Sequence, residues 1–166
     1  MEIYSSRDFL NYYVRIRERT LNVVKCIPPE KMEWSYQAGK FTLGDLVRHL
    51  GALERYMFAE NVQLRPSRYP GHGKELAEGY DTVLNFLNQM HQETVEIIGN
   101  LSEEDLQKKC QTPNGTTITV WKWLRAMVEH EIHHRGQIYL YLAMLKVPTL
   151  PLYGLTSEQV KEKSQN

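Results

Sequence analysis

The sequence predicts an all-α protein, an antiparallel four-helix bundle. Three observations carry that expectation. Four long segments space their apolar residues at helical intervals, no set of segments alternates as strands do, and prolines, glycines and short polar caps fall between the helical segments. A helix that buries one stripe needs a partner for it, and four such helices in one chain supply partners for each other.

The first helix is expected from about Arg7 to Cys26. Phe9, Tyr13, Ile16 and Val23 join Leu10, Val14, Leu21 and Val24 on one broad face, Ser6 is placed to cap it, and Pro28-Pro29 stops it. The connector from Glu30 to Phe41 carries Trp34 and Tyr36, bulky rings expected to pack over the bundle. Thr42 caps a second helix over Leu43 to Val62, with Leu46, His49, Leu53 and Tyr56 as its stripe. Pro66 to Gly73 reads as a turn-rich loop. The third helix is expected from about Glu75 to Asn100, with Tyr80, Leu84, Leu87, His91, Val95 and Ile98 facing inward. Ser102-Glu103-Glu104-Asp105 opens a short capped turn. Asn114-Gly115, between Lys109 and Thr119, signals a small hairpin. The fourth helix runs from Val120 to Lys146, where Trp123, Met127, His130, His134, Gln137 and Tyr141 recur at intervals of four and three. Pro148 and Pro151 end it. The apolar tail Pro151 to Thr156 is expected to dock on the bundle, with Thr156 or Ser157 capping a last turn.

The 166 residues suit one domain with a substantial core. Twenty acidic and twenty basic residues leave no net charge, and no basic block points to nucleic acid. No apolar run approaches the roughly 20 residues that span a bilayer. The first residues lack the basic and apolar segments of a signal peptide, so the expected location is the cytoplasm. Cys26 and Cys110 show no CxxC pattern and are expected to be free thiols.

The chemistry concentrates in histidines. His130 and His134, four residues apart, stack their rings a turn apart on one helix face, so both can reach one ion. Burying unpaired imidazoles costs desolvation, and ligation of a divalent ion removes that cost. His49, on the stripe of another helix, is the expected third ligand. His91 is a candidate fourth ligand or outer partner. His133 points off the ligand face, and His72 belongs to the exposed loop. Gln137 is expected to hydrogen-bond a ligand histidine or the group on the metal, with Tyr56 as a second orienting residue. Arg135 is expected to pair with a neighbouring acid. His130-Glu131-Ile132-His133-His134 also spells the HExxH of zinc peptidases, with Glu131 as base and Glu158 as a remote third ligand. The absence of strands to hold an extended peptide argues against that reading. A di-iron carboxylate site fails because a second Glu-x-x-His is missing.

Leu46-Val47-Arg48-His49-Leu50, then His130-x-x-His133-His134-Arg135-Gly136-Gln137, then Pro151-Leu152-Tyr153-Gly154-Leu155-Thr156, resemble the DinB/YfiT-like metalloenzyme superfamily, in its DinB branch. The resemblance covers nearly the whole chain. It implies an up-down-down-up bundle, a homodimer, and one divalent metal, commonly zinc or nickel, on His49, His130 and His134. Related members use low-molecular-weight thiols in transferase and isomerase reactions; the resemblance assigns no catalytic role to Glu131.

Three protein ligands leave a coordination position open, as catalytic sites do. The expected function is therefore metal-dependent transfer or hydrolysis on a small-molecule substrate, with water or a thiol cosubstrate as nucleophile. The alternative is a non-enzymatic stress-response dimer whose metal only stabilises the fold.

Overall fold

The computed structural model describes residues 2–38 and 40–165, and they are mostly helical. Helix α1 spans Ser6–Val24. Its cap is Ser5, whose hydroxyl accepts from the Asp8 amide at 3.2 Å, one residue before the cap expected. Ser6 instead donates to the Leu101 carbonyl at 3.0 Å, tying the start of α1 to a segment 95 residues further along the chain. Pro29–Lys31 form a single 3-10 turn. Trp34 and Tyr36 do pack over the bundle, each ring 5.6 Å from that of Tyr141.

The second helix departs from the expected continuous run. α2 covers Leu43–Leu53, a π-helical turn covers Glu54–Phe58, and α3 covers Ala59–Val62. Thr42 and Asp45 close a reciprocal capping box at its start. A π turn inserts an extra residue per turn, so it rotates everything beyond it relative to a 3.6-residue stripe. Glu54 and Phe58 consequently turn inward, and Tyr56 is only half-buried.

Helix α4 spans Tyr80–Gly99 and starts later than expected, after Gly79 at φ +83°, a conformation that favours glycine. Its buried line is Val83, Leu87, Met90, Thr94 and Ile98, rotated from the predicted one, so His91 and Val95 lie at its edge. The capped turn α5 (Glu103–Gln107) leads into β1 (Lys109–Gln111) and β2 (Thr117–Thr119), which pair antiparallel with Cys110 opposite Ile118. The turn between them uses Gly115 at φ +82°, as the Asn-Gly signal requires. Helix α6 spans Val120–Met144, and α7 spans Ser157–Ser164 behind a Thr156 cap. The tail docks through the Tyr139 hydroxyl, which donates to the Leu150 carbonyl, and through Arg19 against the Tyr153 ring, while Leu150 and Tyr153 stay exposed. Both cysteines are free. No helix among the described residues is long and apolar enough to cross a membrane.

α1 packs on α6 and α4, and α2 packs on the same two. Two apolar clusters fill the interior. One gathers Phe9, Tyr13, Ile16, Phe58, Ile98, Leu124 and Met127; the other gathers Val23, Leu43, Leu46, Leu50, Leu87, Ile138 and Leu142. Between these two clusters each long helix contributes polar side chains, among them Arg17, Glu54, His91 and Glu131. Arg17 pairs with Glu54 and, at 2.8 Å, with Glu131. Tyr13 donates to Glu131 at 2.9 Å, and His91 Nδ1 lies 2.8 Å from Glu54. Burial works against the Arg17 charge, but Glu131 and Glu54 outweigh it and hold the guanidinium protonated.

Candidate metal centre

The histidines lie at the level of this polar layer. Helix α2 presents His49 and α6 presents His130 and His134, each half-buried at the edge of the core rather than in its middle. Partial exposure gives the site contact with solvent. The rings of His130 and His134 stand 4.4 Å apart, one helical turn along α6. The ring of His49 is 5.1 Å from His130 and 4.6 Å from His134. One nitrogen from each of the three lies within 4.8 Å of the other two, so the group could hold a metal ion.

The nitrogen positions test that fit. His49 Nε2 and His130 Nε2 are 3.2 Å apart. Two ligands about 2.05 Å from a tetrahedral ion stand about 3.3 Å apart, so the spacing matches a shared cation. The outer nitrogens of His134 and His49 are already engaged. His134 Nδ1 donates to Gln137 Oε1 at 2.6 Å, which leaves its Nε2 with a free lone pair. His49 Nδ1 lies 2.7 Å from the Tyr69 hydroxyl, which lies 3.1 Å from His72 Nδ1. With His49 donating and Tyr69 passing its own hydrogen to His72, every partner is satisfied and His49 Nε2 also turns a lone pair inward.

Electrostatics favour the same state. Desolvation, with the neighbouring histidines adding repulsion, pushes His49 down to about 4 and His130 down to about 3. Burial lowers His134 as well, partly opposed by its bond to Gln137. At neutral pH the cluster is uncharged and its nitrogens can donate to an ion. Burial, with the charge of Asp45, pushes the Tyr69 hydroxyl up to about 12, so it stays protonated.

Arg48, beside His49 on α2, fixes the loop that delivers Tyr69 and His72. Fully buried, it pairs with Glu33 and Asp45 and donates to the carbonyls of His72 (2.8 Å) and Ala77 (3.0 Å). Phe41 completes the wall, its ring 5.3 Å from His49 and 4.1 Å from His72.

A helical chain with this histidine set matches a known family model, that of the DinB superfamily, over residues 12–138. The chain belongs to the DinB superfamily. YjoA of Bacillus subtilis strain 168 is 28% identical over 153 residues, covering 89% of this chain and 96% of that protein. The fold resembles the crystal structure of a DinB-like protein from Bacillus cereus ATCC 10987, with a TM-score of 0.75 at 16% identity over 90% of this chain and 99% of that one. The crystal structure of B. subtilis YjoA superimposes with a TM-score of 0.71 at 20% identity, over 89% and 97% of the two chains.

In this DinB chain the predicted trio comes together, and Gln137 meets His134 as expected. Other expectations shift. His91 is bonded to Glu54 and lies outside the trio. Tyr56, turned by the π segment, stacks under the Arg55 guanidinium at 5.3 Å, and its carbonyl accepts from the Arg68 amide. The tyrosine hydroxyl that touches the cluster is that of Tyr69. His72 is half-buried against Phe41, where an exposed loop residue was expected. Arg135 is buried and donates to the Ile16 carbonyl at 3.4 Å. Glu131 points into the core, bound by Arg17 and Tyr13, which removes it from the role of a peptidase base. Glu158 is exposed on α7. Neither the contact of Tyr69 with His49 nor the inward turn of His72 is legible in the sequence, because a turn-rich loop has no periodicity to orient its side chains.

Proposed function

We propose that this DinB protein is a divalent-metal-dependent enzyme acting on a small molecule by transfer or hydrolysis, with the ion held by His49, His130 and His134. The carrying observation is the convergence of three imidazoles, with His49 Nε2 and His130 Nε2 3.2 Å apart and the Nδ1 atoms of His49 and His134 turned to hydrogen-bond partners outside the group. A proton can bridge two of these nitrogens as an N–H···N bond, but a divalent ion would engage all three imidazoles at once. When bound, zinc or nickel would supply Lewis acidity, lowering the pKa of water or of a low-molecular-weight thiol cosubstrate.

The chain's own residues do the positioning. Gln137 holds the His134 ring by its Nδ1 hydrogen. Tyr69 does the same for His49, and to it we assign the orienting role expected of Tyr56. Half-exposure of the three histidines gives a substrate access. The reading takes the long helices as an up-down-down-up bundle. In support, α1 and α6 run from the Phe9 cluster to the Val23 cluster, and α2 with its π turn and α4 run the opposite way. It also takes the protein as a cytoplasmic homodimer.

The alternative, a metal that only braces a non-enzymatic dimer, requires a closed site with a fourth protein ligand. The bond of His91 to Glu54 supports the open site instead. The deciding experiment is metal content. The purified chain should take up one equivalent of zinc or nickel, and a His130→Ala/His134→Ala double variant should take up none. Full metal content in that variant would end the proposal.

A further inference from the structure

Beside the histidines lies a cavity of about 630 Å³. Its size falls within the range of small-molecule sites and equals the liquid volume of about twenty waters. His134 and Gln137 line it, so it adjoins the candidate metal centre directly. Leu140 and Met144 continue the same wall along α6. From His134 to Met144 that wall extends about 15 Å at the helical rise.

The lining has a distinct chemistry. Six of its nine described lining residues are aliphatic, aromatic or thioether side chains, and among the described residues of the lining the only charged one is Lys40. Leu46, from the core, forms part of it at 2% exposure. Tyr36 and Tyr141 meet edge to face at 5.6 Å, and Trp34 buttresses Tyr141 from another side at the same distance. Phe41 belongs both to this cavity and to the wall behind His49. An apolar body would lose water on entering such a space, whereas a sugar or a polyamine would leave its polar groups without partners. Among the described residues of the lining no carboxylate stands beside the Lys40 ammonium, which favours one negative charge on the ligand.

We propose that this cavity is the substrate berth. It takes an elongated molecule with an aryl or alkyl body and a single anionic group matched to Lys40, presenting its reacting group at the His134 and Gln137 end. The placement of the reacting group rests on the metal reading above; the binding preference does not.

The test uses the full chain with and without one equivalent of zinc, and three probes. These are 1-naphthylacetate, the cationic 2-(1-naphthyl)ethylamine, and glucose, each competing against the fluorescent anion 8-anilinonaphthalene-1-sulfonate. Naphthylacetate should displace the dye at a single site at least tenfold more effectively than the amine, and glucose should not displace it. Met144→Trp, which fills the outer end of the cavity from a half-exposed position, should weaken naphthylacetate at least tenfold without altering zinc uptake. Lys40→Glu, at an exposed position that leaves the core intact, should reverse the preference between the two naphthyl probes. Equal affinity for acid and amine, or binding unchanged in both variants, overturns the proposal. Anion binding that responds to these substitutions in a chain that takes up no zinc would uphold the cavity and defeat the metal reading. Zinc uptake without anion binding would do the reverse.

Discussion

Tyr69 shows how much of a metal site lies in its outer contacts. A histidine ligand is oriented by whatever its second nitrogen bonds to, and loss of such a partner typically weakens metal affinity about 10–100-fold. Tyr69→Phe removes the hydroxyl that joins His49 to His72 while keeping the ring. Its zinc dissociation constant, read by chelator competition, should rise by that factor, and the metal-free melting temperature should hardly change. An unaltered constant would show that the hydroxyl does not orient His49. Protonation adds a second expectation at this scale. Unfolded, each histidine takes up a proton near 6.5; folded, His49 does so near 4 and His130 near 3. Between those values the unfolded chain holds more protons, so acid favours unfolding. The stability that the neutral rings confer is whole above pH 6.5 and is lost as pH falls through 4 towards 3. The melting temperature of the metal-free protein should therefore drop on acidification from pH 6.5. The slope should be shallower in His130→Ala; identical slopes would contradict the neutral, desolvated state of that ring.

At the scale of elements, the polar layer between the two apolar clusters locks α1, the π turn, α4 and α6 to one another. Arg17 is its centre, 1% exposed, with Glu54 and Glu131 equally buried. Removing one member of such a group strands the others away from water, at a cost of about 3–5 kcal/mol. Glu131→Ala should lower the unfolding free energy by that order in urea titrations. A loss below about 1 kcal/mol would mean that the layer is hydrated rather than locked. The same layer explains why the π turn matters. It swings Glu54 inward to meet Arg17 and His91, and in doing so turns Tyr56 away from the histidines. The periodic stripe through Leu46, His49 and Leu53 holds only up to that turn. Likewise α4 begins at Tyr80 and not at Glu75, because Gly79 takes a left-handed conformation that no helical interval reveals.

For the molecule as a whole, an ion that ties α2 to α6 is a ligand of the native state alone. At a hundredfold excess over its dissociation constant, such a ligand stabilises by about 2.7 kcal/mol. For a chain of this size that corresponds to a rise of about 5–10 °C in the melting temperature. Zinc should produce that rise in the native sequence and none in a His49→Ala/His130→Ala/His134→Ala variant; an equal rise in both would place the ion elsewhere.

The sequence by itself determined the helical class, most of the capped starts, the Asn-Gly hairpin and the three histidines as a set. Each of these depends on local spacing, and local spacing is what hydrogen-bonded helices and turns impose on residue order. Only the tertiary structure decided the partners that come from far along the chain: Tyr69 and His72 carried to His49 by a loop pinned on Arg48, Glu131 drawn to Arg17, and the open apolar cavity formed between α6 and the connector. Those contacts arise from side chains competing for the same buried space and for the same unpaired donors and acceptors. No interval along the chain records which of them prevails.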